Sequence, residues 1–294
     1  MSLFQQAWGP SFTALVKPSD GGLELPAELL LAATPALASA SEHEDAVQAA
    51  LMAWFWSRNQ FIELDDESQA ELAESVERAL AKMQQQPTRA AVAPVLSAHR
   101  QELAAFVRAR FGKTPREVVC SEYTPELQLE VLGLGLDKLS ELAPPVLDIG
   151  CGPSAALVSY LREHGVEADG LDRAVPSQLG SAADWLTFPY EAHRAGTALS
   201  HLGFSLHFLH HHLAGGDTAF AYARTYMTIL RSLKPRGRFV YTPGLPFLEG
   251  MLDTNLYRVK RVKFASELRV ASLRQIESST GLSLSYAAHV ERVS

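Results

Sequence analysis

The sequence predicts an α/β protein: a mostly parallel sheet with helices on both faces, preceded by an all-helical segment of about 120 residues. Three observations carry this. Residues 146–172 read as strand, glycine turn, helix and strand, a βαβ unit that builds parallel sheets. Further short apolar runs alternate with helical patterns to the C-terminus. Before residue 116 the apolar spacing is helical, and no segment alternates with period two.

Turn signals at Gly9-Pro10 and Ser19-Asp20-Gly21-Gly22 open the chain, and helical spacing begins near Leu25. Ser41 with Glu44 has capping-box spacing, and Val47, Ala50, Leu51, Trp54 and Phe55 then form one buried helix face. Trp54, Phe55 and Trp56 fit a core, with a pocket lining as the alternative. Asp65 and Asp66 open another helix with Leu72, Val76, Leu80 and Met83 on its apolar side, ended by Gln84-Gln85-Gln86-Pro87. Leu96, Leu103, Phe106 and Val107 mark a third, closing near Phe111-Gly112. Thr124-Pro125 starts a helix lined by Leu129, Leu132, Leu136 and Leu139. Strands follow at 146–149, 166–172, 198–204, 237–242 and 282–293, with helices at 155–164, 217–233 and 266–279. The expected domains are 1–120, a helical cap or substrate domain, and 121–294, a ligand-binding sheet domain.

Composition narrows the class. Hydrophobic residues are 47% and charged residues 20% of 294, which excludes disorder and collagen-like structure. No apolar run approaches the ~18 residues of a membrane span. MSLFQQAWGPSF lacks a basic segment followed by an apolar one, so no secretory signal is expected. Two cysteines, Cys120 and Cys151, are too few for a disulfide scaffold and fit a reducing cytoplasm. Residues 1–135 carry 10 Lys+Arg against 18 Asp+Glu; residues 136–294 carry 16 against 15. Neither part is basic enough to attract a phosphate backbone, so no nucleic-acid partner is expected, and no membrane partner either. The basic stretch Arg258, Lys260, Arg261, Lys263, Arg269 and Arg274 reads as a solvated face, with attraction of an anionic substrate as the alternative.

The sharpest motif is VLDIGCGPS at 146–154. A strand ending in Gly150-Cys151-Gly152 and opening a helix lets backbone approach a ligand where a Cβ would clash. Asp172 lies 22 residues beyond Gly150, at the end of the next strand, where a carboxylate can accept both ribose hydroxyls. The pair predicts a nucleoside-bearing ligand. Asp148, two residues before the first glycine, repels a pyrophosphate and suits a cation. S-adenosylmethionine carries an ammonium, a sulfonium and a ribose, and no phosphate. The plainer readings are a tight turn for the glycines, a helix cap for Asp148 and a surface turn for Asp172.

LDIGCG resembles the first motif of class I S-adenosylmethionine-dependent methyltransferases, and Gly170-Leu171-Asp172, followed by Arg173, resembles the acidic end of their second strand. Ala183-Asp184-Trp185-Leu186 resembles their third segment, which would turn Asp184 and Trp185 toward the adenine. Ala198-Leu199-Ser200-His201, with Phe204 and Leu206-His207, resembles the fourth strand and its loop; Leu233 to Phe239 resembles the turn into the fifth. Tyr123-Thr124-Pro125-Glu126-Leu127-Gln128 resembles a segment that lies over the cofactor in some bacterial members, with Tyr123 stacking and Gln128 reaching the cofactor's carboxylate. The likeness spans 120–294. It implies a Rossmann-like methyltransferase sheet whose seventh strand, residues 282–293 here, runs antiparallel beside the fifth. Pro153 stands where another glycine is common, and the fourth strand lacks the acid that often opens it.

What the resemblance implies is methyl transfer to a small-molecule acceptor. In-line displacement at a sulfonium needs positioning more than acid–base help, which is why no triad is visible and the motifs do not name the acceptor. His207 is the candidate general base, its ordinary pKa near 6.5. His207 and His211, with His210 and His212, have zinc-like spacing without a neighbouring Glu or Cys, so no functional metal is expected. Two alternatives remain: an NAD-dependent oxidoreductase, supported by Ala155 and Asp172, and a module of this fold that binds the cofactor without turnover.

Overall fold

The computed structural model describes residues 52, 55–56, 60–62, 64–85, 89–111, 123–192, 194–263 and 277–293. The helix expected from 47, 50, 51 and 54, the Ser41 cap, Cys120 and most of the helix expected at 266–279 lie outside them. The chain divides into two compact units, residues 13–120 and a second containing 121–294.

In the first unit, α1 (Asp66–Gln85) and α2 (Arg89–Phe111) pack side by side. The Asp65 carboxylate accepts the Ser68 N–H at 2.8 Å, meeting one of the four donors a helix start leaves unpaired. Leu72, Val76, Leu80 and Met83 recur every three or four residues and meet Leu103, Phe106, Val107 and Phe55 in one core. Phe55 is therefore core, as its spacing implies.

The second unit is a seven-stranded sheet: β1 (Val146–Ile149), β2 (Ala168–Asp172), β3 (Gly180–Ala182), β4 (Thr197–His201), β5 (Arg238–Thr242), β6 (Tyr257–Lys263) and β7 (Tyr286–Arg292). Their spatial order is β3-β2-β1-β4-β5-β7-β6. β1 through β5 pair in parallel, and β7 runs antiparallel between β5 and β6. Every residue of β1 is buried, as expected of a strand flanked on both edges and covered on both faces. The helices are α3 (Pro125–Val131), α4 (Ala156–Glu163), α5 (Phe204–Ala214), α6 (Asp217–Ser232) and the single turn α7 (Pro246–Glu249).

Several boundaries differ from the sequence reading, each for a local reason. Thr124 does cap α3, its hydroxyl accepting Leu127 N–H, but the four-leucine helix stops at Val131. Gly133 turns the chain and Leu134 N–H bonds back to Leu129 O, so Leu136 starts a separate 3-10 turn and is exposed. The strand expected at 198–204 ends at His201. Leu202 takes φ +54, and the Ser200 hydroxyl accepts Phe204 N–H at 2.9 Å, opening α5. The basic stretch at 258–263 is exposed as expected, yet it forms an edge strand, β6. Among the described residues β6 is the last strand of the sheet, where charged side chains suit an edge rather than interrupt a strand.

Candidate functional site

β1, β2, β4, β5 and β6 all end at the same edge of the sheet, and the loop after β1 sits there. Gly150 (φ +84) donates its N–H to Leu171 O at 2.8 Å, extending the β1–β2 ladder by one rung. Gly152 has φ +72. Both glycines occupy the left-handed region that side chains avoid. Their surroundings differ. A Cβ at Gly150 would lie 3.0 Å from Gly203 Cα and 3.1 Å from Trp185 Cζ3, whereas one at Gly152 would meet nothing within 4 Å. Gly150 thus allows close packing within the protein, while Gly152 faces open space.

Asp172 is tied to this loop. One carboxylate oxygen accepts Gly152 N–H at 3.1 Å and the other accepts Ala174 N–H at 3.1 Å. A carboxylate has about four lone-pair directions, so each oxygen keeps one for another donor. Asp148 is fully buried, and its Oδ2 has no hydrogen-bond partner among the described residues. Burial, then the charge of Asp172, pushes its carboxyl up to about 7. It makes no capping bond, so the plainer helix-cap reading is set aside.

The remaining expected residues fall around this core. The Cys151 thiol points back to Gly152 O, and burial with the two nearby aspartates raises its pKa, which makes it no nucleophile. Asp184 is exposed; its Oδ1 closes a turn onto Leu186 N–H at 2.7 Å. Trp185 is buried, its indole N–H donating to Tyr222 Oη at 3.0 Å and its ring edge-on to His207 at 4.8 Å. The Arg173 guanidinium lies 5.9 Å from the Trp185 ring centre. Tyr123 meets His201 edge-on at 4.9 Å, and the Gln128 amide donates to Tyr123 O at 2.9 Å, pinning that segment. Ser200 is occupied in opening α5. Burial lowers His201 to about 4.

His207, the candidate base, lies within α5. It is buried, and burial, with Arg173 and the neighbouring histidines, holds its pKa well below the ordinary value. Among the described residues no group of three metal-ligating side chains occurs.

The sequence reading missed Gly203 and Tyr222. A Cβ at Gly203 would sit 2.9 Å from Ile149 O and 3.1 Å from Gly150 Cα, so β4's exit loop packs directly on the glycine loop. The adjacent Leu202 at φ +54 marks backbone strain at this edge. A lone glycine after a short strand carries no motif, so only the fold brings it to the site.

No protein-family model matches the sequence, and no curated protein matches it. Solved structures similar to the chain include the plantazolicin methyltransferase BpumL in complex with a pentazolic desmethylPZN analog and SAH. It is 13% identical over 78% of this chain and 99% of that one, with a TM-score of 0.37. A SAM-dependent methyltransferase from Geobacter sulfurreducens in complex with S-adenosyl-L-homocysteine is 15% identical over 59% and 92%, TM-score 0.30. The sugar N-methyltransferase KedS8 from Streptoalloteichus sp. is 20% identical over 55% and 60%, TM-score 0.31. The fold itself is read from the sheet: a glycine loop after β1, an acid ending β2, and one reversed strand, β7, inserted beside β5. That arrangement is a Rossmann-like sheet with one reversed strand beside the fifth, as the sequence resemblance implies.

Proposed function

We propose that the protein binds S-adenosylmethionine at the glycine loop and transfers its methyl group to a small-molecule acceptor. The observation that carries this reading is Asp148: a fully buried carboxyl oxygen without a partner, beside a loop with open space over Gly152. An uncompensated buried carboxylate is costly, and a cationic ligand group relieves that cost where a phosphate would add to it. The same charge argues against a dinucleotide, and so does Asp172, whose carboxylate already takes the Gly152 N–H.

The bound cofactor would supply an electrophilic methyl on sulfur. The chain's own residues would do the holding. Asp172 would accept the two ribose hydroxyls with its remaining lone pairs while keeping the loop closed through Gly152 and Ala174. Asp184 Oδ2 is left for the adenine side. Gly150, Cys151 and Gly152 would present backbone to the amino-acid part, with Tyr123, Gln128, Arg173, Trp185, Ser200 and His201 shaping or buttressing the surrounding wall. We assign residues 1–120 as a cap or substrate domain and 121–294 as the cofactor domain. The setting is cytoplasmic on cysteine usage, and no helix among the described residues is long and apolar enough to cross a membrane.

Isothermal calorimetry with S-adenosylhomocysteine tests the reading. Saturable binding that Asp172→Ala weakens is expected; no heat from the wild-type chain at millimolar ligand sinks it. Turnover with a candidate acceptor then separates the enzyme from a module that only binds.

A further inference from the structure

At the far end of the same sheet edge, Arg261 is built into a rigid frame. Glu249, its side chain fully buried, accepts the Arg261 Nε–H at 2.8 Å, the Tyr286 hydroxyl at 2.6 Å, the Tyr241 hydroxyl at 3.2 Å and Leu245 N–H at 2.8 Å. With four donors the carboxylate is saturated and cannot swing away. The Arg261 guanidinium carbon lies 5.2 Å from the Tyr286 ring centre. Gly244 also packs on the Tyr286 ring, where any Cβ would collide with it. One N–H of the guanidinium is thereby bound. Its two terminal nitrogens make no hydrogen bond among the described residues, and the side chain is 50% exposed. Lys263 pairs across from Tyr286, so it shares this face, one rung nearer the edge.

We infer that Arg261, with Lys263, is a preorganised binding site for an oxyanion, a carboxylate or phosphate group on a ligand. An arginine that served only to neutralise Glu249 would need no exposed fork. Here the ordering cost of the long side chain is already met by the fold, and the planar face with paired N–H groups matches an oxyanion's two oxygens. β6 lies four strand spacings from β1, roughly 19 Å at about 4.8 Å each, so this is a second site and no part of the nucleoside-binding end. If the methyl-transfer reading holds, it selects acceptors bearing an anionic group remote from the methylated atom. The anion site itself stands without that reading.

The test is nuclear magnetic resonance on the full chain with nitrogen-15 arginine, following the Arg261 Nε–H signal, which is assigned by its loss in Arg261→Lys. Inorganic phosphate and succinate are titrated separately at constant ionic strength, against a sodium chloride control. A saturable shift is expected. Lys263→Ala, which leaves the buried frame intact, should weaken it roughly two- to fivefold, the worth of one exposed charge. Saturation by succinate alone identifies a carboxylate site, by phosphate alone a phosphate site, and by both an oxyanion site without preference. If neither probe moves the signal beyond the chloride control, the proposal is overturned. Cofactor calorimetry is a separate measurement, so failure here leaves the methyl-transfer reading standing, and the reverse.

Discussion

Asp148 gives the site a pH dependence with a definite sign. Its folded pKa, about 7, stands above the ordinary 3.8. The unfolded chain ionises first as pH rises, so the stability this group contributes is full below pH 3.8 and is lost as pH climbs to about 7. Asp148→Asn should therefore be more resistant to urea than the wild type at pH 8.5, with the advantage shrinking at pH 5. A cationic ligand favours the ionised carboxylate, so S-adenosylhomocysteine affinity should fall as pH drops below about 7, approaching tenfold per pH unit. Calorimetry in buffers of different ionisation heats should register proton release in that range. A flat profile from pH 5.5 to 8.5 disproves the placement of the ligand's ammonium at Asp148.

Asp172 ties down the glycine loop and is proposed to hold the ribose, and variants separate the two. Asp172→Ala removes the proposed ribose acceptor and also frees the Gly152 and Ala174 N–H groups. Hydrogen bonds to a charged group contribute about 1.5–3 kcal/mol, so affinity should fall roughly ten- to a hundredfold. Asp172→Asn keeps one acceptor oxygen and should lose less. His207→Ala, which deletes a packed ring beneath Trp185, should lower stability while leaving cofactor affinity nearly intact; melting and binding measured on one sample decide this. These residues were legible to different degrees. Asp148, Gly150, Gly152 and Asp172 announce themselves by type and spacing. Gln128 and Ser200 are named by the resemblance alone, and in the fold their polar groups bond to Tyr123 O and Phe204 N–H.

At the scale of elements, the turn from β1 into α4 makes a sharper prediction than any single side chain. Gly152→Ala pays the left-handed backbone cost of about 1–2 kcal/mol but meets no atom of the protein. Its methyl would enter the open space where the ligand is proposed to lie. Gly150→Ala pays the same cost and also presses on Gly203 and Trp185, for roughly 2–4 kcal/mol. Urea denaturation should rank Gly150→Ala as the less stable, while calorimetry should show both binding S-adenosylhomocysteine poorly. Equal stabilities would mean that the contact between the β1 and β4 loops is not held in solution.

For the whole molecule, the two units each have a hydrophobic core of their own. Ligand binding to the sheet unit should raise hydrogen-exchange protection in Val146–Ile149 and Ala168–Asp172, by up to about 2.7 kcal/mol at a hundredfold excess over Kd. If residues 1–120 act as a cap, protection in α1 or α2 should rise as well. Unchanged exchange throughout both helices would overturn the cap assignment.

Legible in the sequence alone were the class of fold, the βαβ unit, the glycine loop with its two acids, the capped starts of α1 and α3, and α6 to within one residue at its C-terminal end. All of these rest on interactions between residues close in the chain, or on periodicities that a face repeats. Tertiary structure decided the rest. It made β6 a strand, because hydrogen bonds to β7 override a run of charged residues. It cut the leucine-lined helix at Val131 and began α5 at Phe204, through bonds that propensity does not encode. It placed Gly203 against the glycine loop, and it gathered Glu249, Arg261 and Tyr286 from three segments into one frame. Those groupings depend on strand order, and strand order is fixed by which faces must be buried together, a property of the folded chain that no local spacing records.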